Sequence, residues 1–415
     1  MSNTKNKLTV NKESGLNKAL KKVRFFMKRK RADHYISKLL RKKNDHNVIS
    51  VAFIVQMPEI WDKEAPVFEA MLSDARFSAR LIVVPSYDIT KRQISEYGNE
   101  LGYFVDKYGS KCIVKAYEEN NWADLEQMGF DYVFYQRCWE SYLPEQYHTK
   151  NVIRYSKTCY IPYAVGLFDG TDYYKKNFFT NLYACFCSTR EQTAFHVQNT
   201  KRKIVFCGCP VIERYAAIAN KLVPSSSKKV LWTPRWTDDA FFGGSTFFKN
   251  MYNILELKEV HSDIDLVLRP HPMTFPNAVR NGKMTEGEVE EYKNKVKTRG
   301  AAFDSNVFIE DSLFSTDILI TDYSSIVWEY FILGKPIIYC ADTDIDFEEV
   351  YKKITKVVYK ADDWEEIKKI TSMLLSGEDP MYCERKKVIK EIVDENANAT
   401  KRIIDYIAED FGLGK

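Results

Sequence analysis

The sequence predicts an α/β protein built from two doubly wound domains, each a parallel sheet covered by helices. Three observations carry that expectation. Short apolar runs of strand type alternate with helical segments along most of the chain, the pattern of a parallel sheet with helices on both faces. At 415 residues the chain exceeds what one core usually serves. A polar stretch containing Pro and Ser, KLVPSSSKK at 221–229, interrupts the alternation, which then restarts.

Composition agrees with a folded protein and sets its compartment. With 45% hydrophobic and 14% aromatic residues the chain can bury sizeable cores, which excludes a disordered class. No run approaches the roughly 18 apolar residues of a membrane span, and no secretory leader is evident, so a cytoplasmic protein is expected. Nine cysteines, an odd number without CxxC or Cys/His metal spacing, are expected to be buried free thiols. The net charge of +4 is unevenly distributed: residues 1–47 carry +12 and the rest −8.

Taken in order, residues 1–46 form a basic arm. Residues 1–15 are polar and short of apolar anchors, and are expected to be disordered. Leu16, Leu20, Val23 and Met27 then recur at helical spacing, and Ile36, Leu39 and Leu40 resume the stripe. Lys21, Lys22, Arg24, Lys28, Arg29, Lys30 and Arg31 lie between them, so a cationic amphipathic helix over 16–43 is expected to meet an anionic membrane surface. Packing against the protein's own body is the alternative. Nucleic acid is not an expected partner, because no nucleic-acid motif comes after the arm.

The first domain spans 47–220, with strands expected at 47–56, 78–85, 111–117, 131–136, 157–165, 183–189 and 203–210. Helices are expected at 65–74, 89–108, 121–128 and 191–200. After the linker at 221–229, the second domain spans 230–384. Its strands are expected at 230–234, 265–270, 306–311, 317–321 and 337–340, with helices at 247–260, 285–298, 326–333 and 364–375. One long helix, 385–410, is expected to finish the chain within a last segment of 385–415.

Ligands of doubly wound sheets bind beyond the carboxyl ends of the strands, and three such ends in the second domain carry compatible chemistry. One delivers Thr233, Arg235 and Trp236, a second Arg269 and His271 between prolines, and a third Thr321, Asp322, Tyr323, Ser324 and Ser325. A helix entered through Ser324 and Ser325 turns unpaired N–H groups, hydroxyls and its positive dipole end toward one spot, which suits a phosphate. Together with Arg235, Arg269 and His271 this is the chemistry of a nucleotide diphosphate site. Glu329, four residues after Ser325, is placed to accept a ribose hydroxyl. Plain helix capping is the alternative for Asp322, Ser324 and Ser325. A structural role is the alternative for His271, whose ordinary pKa suits donation to a phosphate or a leaving group.

The combination of LWTPRW at 231–236, LRPHP at 268–272 and ITDYSSIVWEYFILGKPIIY at 320–339 resembles the bacterial CDP-glycerol:poly(glycerophosphate) glycerophosphotransferase family, which includes teichoic acid primases and polymerases and related capsule enzymes. FCGCPVIERY at 206–215 extends the likeness more weakly. The resemblance implies a GT-B architecture, with two Rossmann-like domains facing a cleft, the donor nucleotide on the second and the final helix crossing back to the first. It also implies that His271 is the catalytically important histidine and that Ser324 and Ser325 form the phosphate-binding turn. Family polymerases carry a Trp-His-Gly histidine in the first domain that looks like the general base. Here the nearest counterpart, YIPYAVGLFDG at 160–170, has none, and Asp169 is the substitute considered, against a plain turn role.

The implied reaction transfers glycerol phosphate, or a similar polyol phosphate, from a CDP-polyol to a lipid-linked or polymeric glycan acceptor at the inner face of the cell membrane, releasing CMP. No cofactor is expected, and the lack of an Asp-x-Asp motif makes metal dispensable in this reading. The alternatives are a GT-B glycosyltransferase using a nucleotide sugar, a nucleotide-sugar epimerase of the same fold, and a non-catalytic nucleotide-binding scaffold.

Overall fold

In the computed structural model, residues 15–42, 46–88, 93–94, 96–162, 177–199, 202–222, 227–236, 244–306, 308–340 and 349–414 are described. The first sheet comprises β1 (Ile49–Val55), β2 (Phe77–Val83), β3 (Ile113–Lys115), β4 (Tyr132–Tyr135), β5 (Lys157–Tyr160), β6 (Ala184–Cys187) and β7 (Lys203–Phe206). Its order is β7-β6-β5-β4-β1-β2-β3, parallel throughout. The second comprises β8 (Lys229–Thr233), β9 (Asp265–Leu268), β10 (Ala302–Phe303), β11 (Ile318–Thr321), β12 (Ile337–Tyr339) and β13 (Tyr359–Lys360). Its order is β10-β9-β8-β11-β12-β13, again parallel. The winding direction reverses between β8 and β11, so a crevice opens beyond their carboxyl ends. Continuous Val, Ile and Phe runs make the central strands, because helices cover both faces and no residue needs to face water.

Eight helices shape the site and join the two domains: α1 (Gly15–Arg41), α2 (Ala65–Leu72), α3 (Pro210–Ala219), α4 (Thr274–Arg280), α5 (Ile309–Ser315), α6 (Ile326–Ile332), α7 (Tyr382–Asn396) and α8 (Ala399–Phe411). Val211, Ile212 and Tyr215 of α3 share a core with Leu231, Leu319 and Ile392, so α3 and α7 bind the second sheet although α3 precedes the linker. Ile403, Ile407 and Phe411 of α8 lie instead in the core of the first sheet. The carboxylate of Asp410 fixes that docking, accepting from Lys157 at 2.8 Å, Lys203 at 2.5 Å, the Tyr183 hydroxyl at 2.6 Å and the Tyr132 hydroxyl at 2.8 Å.

Several elements differ from the sequence expectation. The strand expected at 306–311 is instead the start of α5, whose face buries Ser312 and Leu313, and the edge strand is Ala302–Phe303. Helix 247–260 is broken into Phe247–Asn250, a 3-10 turn at Asn253–Glu256 and Leu257–Val260. Helix 89–108 begins at Asn99, and Asn121–Trp122 pairs in a hairpin before a short helix at Leu125–Met128. Lys229 opens β8 rather than ending the linker.

The expected single terminal helix is two, because Asn398 takes a left-handed turn at φ 59°. Asn396 anchors that joint. Its side-chain oxygen accepts from the Cys209 N–H at 2.6 Å, and Glu213 accepts from the N–H groups of Asn398 and Thr400. Gly208, at φ 82°, is required there, since a Cβ would lie 3.1 Å from the Asn396 Cα.

The second half of α1 packs on the first domain through Tyr35, Ile36 and Leu39, with Asp33 bound to Arg202 at 2.6 Å. Lys28 donates to Asn177 at 2.9 Å. Leu20, Val23, Phe26 and Met27 remain exposed. No helix among the described residues is long and apolar enough to cross a membrane.

Candidate functional site

The carboxyl ends of β9, β8 and β11 are neighbours, because Trp232 pairs with Leu268 and Thr233 with Thr321. Three chain segments therefore leave one edge side by side: Arg269–His271, Arg235–Trp236 and Asp322–Ser325. Behind them sits a buried polar brace. Thr233 donates its hydroxyl to that of Thr321 at 2.8 Å, and Thr321 donates to the Thr233 carbonyl at 2.9 Å. Asp322, buried, accepts from the Arg235 N–H at 2.9 Å and from the N–H and hydroxyl of Thr246 at 3.0 and 2.5 Å. Burial pushes its carboxyl pKa up, with these hydrogen bonds opposing. Thr233, Thr321 and Asp322 thus hold the loops in register, and their side chains face inward instead of toward a ligand.

Arg235 and His271 stand at the rim. The Arg235 guanidinium lies 5.3 Å from the Tyr323 ring centroid and 3.4 Å from the Tyr323 carbonyl. His271 is exposed, with its ring 5.7 Å from Trp236, and its Nδ1 accepts from the Met273 N–H at 3.1 Å. That contact assigns the neutral ring's proton to Nε2, which is left as a donor. Partial desolvation by surrounding protein lowers the His271 pKa from its ordinary 6.5, favouring the neutral ring.

At the start of α6, the Ser324 hydroxyl accepts from the Ile326 N–H at 3.3 Å. Ser325 is the cap residue, yet its side chain makes no capping bond, leaving the hydroxyl for other use. Gly334, at φ 79°, turns the chain out of α6 toward β12.

Two expected donor contacts are engaged elsewhere. Arg269 donates to Asp304 at 2.6 Å and to the Asn306 carbonyl at 2.8 Å, so its charge is already met and it braces the loop after β10. Glu329 is buried against the first domain, where Lys63 donates to it at 2.6 Å, because its face of α6 is the one covered by the 58–64 segment after β1. It is an interdomain group, not a ribose acceptor on an open face. Asp169 lies outside the described residues.

The Lys63–Glu329 pair belongs to a buried cluster that sequence reasoning missed. Lys63 also donates to Asp62 at 2.8 Å, and the Tyr215 hydroxyl donates to Asp62 at 3.3 Å. Burial alone would lower the Lys63 pKa, but Asp62 and Glu329 raise it. Burial, with Asp62 beside it, pushes Glu310 up to about 7. Glu64, whose two carboxylate oxygens have no hydrogen-bond partner, is pushed by burial up to about 8. A signal was available: PEIWDKE, with four ionisable residues, lies directly beyond the carboxyl end of β1. Lys63, Glu329, Tyr215 and Ser325 line an interdomain cavity with Ile161 and Pro162. At about 10 Å³ it has room for a water molecule and not for a nucleotide.

Residues 192–374, which include all three loops, match the family described as CDP-Glycerol:Poly(glycerophosphate) glycerophosphotransferase. The chain is 25% identical over 207 residues to the teichoic acid poly(glycerol phosphate) polymerase of Bacillus spizizenii, covering 44% of this chain and 48% of that protein. It is 28% identical over 167 residues to the teichoic acid glycerol-phosphate transferase of Staphylococcus aureus, covering 37% and 39%. The chain therefore spans less than half the length of these curated relatives. In fold it is similar to a UDP-N-acetylglucosamine 2-epimerase, with a TM-score of 0.57 at 14% identity over 89% of this chain and 97% of that one. It is also similar to the wall teichoic acid polymerase TagF, with a TM-score of 0.54 at 17% identity over 95% and 98%. Two parallel-sheet domains with a returning final helix make the architecture GT-B. Over residues 192–374, the chain is similar to the CDP-glycerol:poly(glycerophosphate) glycerophosphotransferase family.

Proposed function

We propose that the protein transfers glycerol phosphate, or a similar polyol phosphate, from a CDP-polyol to a lipid-linked or polymeric glycan acceptor in the building of a teichoic-acid-like or capsular polymer. One observation carries the reading: Arg235, His271 and Ser325 leave three adjacent strands at the point where the winding reverses, which is where an α/β sheet receives a nucleotide. The acceptor hydroxyl oxygen attacks the β-phosphorus, the bond to the bridging oxygen breaks, and CMP departs with the electron pair. Neutral His271 donates through Nε2 to a phosphate oxygen, and Arg235 and Ser325 meet the charge that develops. Asp169 is the proposed acceptor of the hydroxyl proton, and metal is dispensable in this scheme.

Binding at the inner membrane face is the second part of the proposal. Leu20, Val23, Phe26 and Met27 are exposed on α1 beside Lys21, Lys22, Arg24 and Lys28, a combination suited to an anionic surface. Sedimentation with anionic vesicles tests it: the full chain should pellet with them and a chain lacking residues 1–46 should not. Equal partitioning of both would dismiss this role of the arm.

The decisive experiment for the chemistry is a donor panel of CDP-glycerol, CDP-ribitol, UDP-sugars and CMP-sugars, scored by nucleotide release with acceptor present. CMP release from a CDP-polyol is expected. Turnover of a sugar donor alone would replace the proposal with a glycosyltransferase or epimerase, and nucleotide binding without any turnover with a scaffold.

A further inference from the structure

Beside the rim, between the segment after β8 and α4, lies a cavity of about 270 Å³ that shares Arg235 with the donor rim and is separate from the interdomain cluster. Arg235, Arg280 and Lys283 contribute cations to its wall, Trp236 and Phe248 contribute aromatic faces, and no carboxylate is among its described lining residues. At its floor is Thr274, 4% exposed, whose hydroxyl has no hydrogen-bond partner. A buried hydroxyl without a partner is costly, and it is tolerated where a ligand completes its bonding. Arg280 donates to Asn277 at 2.6 Å, which orients the guanidinium while leaving most of its five donors for another acceptor. The Lys283 ammonium lies 5.2 Å from the Phe248 ring, which holds it at the mouth.

We propose that this cavity is a second phosphate subsite, which takes a phosphate ester on a small polyol while the donor occupies the Arg235–His271–Ser325 rim. Arg280 and Lys283, with Arg235 shared with the rim and no carboxylate among the described lining residues, select an anion, and the cavity is far larger than an inorganic ion needs, leaving space for the polyol against Trp236 and Phe248. The Trp236 ring also lies tilted against that of His271 at 5.7 Å, so an occupant here would sit one side chain from the proposed reacting group. The assignment of that occupant to the acceptor's phosphate-bearing end rests on the transferase reading; the phosphate subsite itself does not.

Calorimetric titration with sn-glycerol 3-phosphate, in the presence of saturating CMP, tests the proposal. Wild type should bind the phosphate ester and not glycerol. Arg280→Ala/Lys283→Ala, two exposed positions that leave the fold intact, should weaken binding by roughly tenfold or more. Thr274→Val should weaken it severalfold, and Ser325→Ala should leave it unchanged. Absence of binding in wild type, displacement by CMP, or equal affinity in the double variant would each overturn the second subsite. Turnover provides the separate arm: if the double variant loses glycerol phosphate binding but no CDP-polyol is consumed by wild type, the transferase reading fails and the subsite stands. If turnover is present, the double variant should raise the acceptor KM with the donor KM unchanged.

Discussion

Lys63 of the first domain donates to Glu329 of the second at 2.6 Å, and both side chains are nearly sealed from water, at 12% and 9% exposure. The two lobes are therefore joined by a buried ion pair that lines the same small cavity as Ser325.

Breaking that pair from one side should be expensive. Lys63→Met leaves Asp62, Glu329 and Glu310 together without their cation, and a loss of about 3–5 kcal/mol is expected in urea unfolding. Adding Glu329→Met should recover much of it. If the double variant is as unstable as the single one, the pair is not the source of the cost.

Glu64 gives the protein a basic-side weakness. Its folded pKa of about 8 lies above the ordinary 4.5, so its contribution to stability is fully present below 4.5 and is lost as pH rises through 8. Glu64→Gln should therefore gain on wild type between pH 5 and 9, with the gap in Tm widening as pH rises. A gap independent of pH would show that Glu64 does not titrate in that range.

Asp410 acts in the opposite direction. Burial would raise its pKa, but Lys157, Lys203 and Tyr183 bring it down to about 2. The stability it confers is present above its ordinary 3.8 and disappears as pH falls through 2. At pH 7, Asp410→Asn should cost about 2–4 kcal/mol, because two lysines lose their partner, and should release α8 first. Hydrogen exchange over 399–411 measures this. Unchanged protection there would contradict the assigned anchoring role.

His271 should govern the acid limb of turnover. With Nδ1 occupied by the Met273 N–H and the pKa lowered, the neutral ring is the active form, so kcat should fall only below pH 6.5 and hold above it. His271→Ala should lower kcat by roughly 100- to 1,000-fold, with the acid limb gone. A rate that rises steadily toward low pH would instead mark imidazolium as the active form.

Much of the fold and the placement of part of the candidate site are legible in the sequence alone, and the misses have physical reasons. Strands such as 49–55 announce themselves because burial on both faces permits an uninterrupted apolar run. The serine turn and the Arg-Pro-His-Pro segment can be picked out by residue type alone, and the structure places both at the carboxyl edge of the second sheet. Side-chain direction is not legible. Thr233, Thr321 and Asp322 sit at the right strand ends but turn inward, and Arg269 meets Asp304 from a loop 35 residues away. Glu329 defies a local reading because its partner comes from the other domain, 266 residues earlier in the chain. The break at Asn398 is equally invisible, since the helical pattern runs through it and only docking against Gly208 and Cys209 selects the left-handed turn.

That break means the first lobe is assembled from two distant parts of the polypeptide. A nascent chain that has emerged only as far as Asn396 still has Tyr132, Tyr183, Lys157 and Lys203 turned toward a helix that has not yet been made. The lobe synthesised first is thus the one completed last, and proteolytic clipping near Ala397 would open the lobe at the opposite end of the sequence.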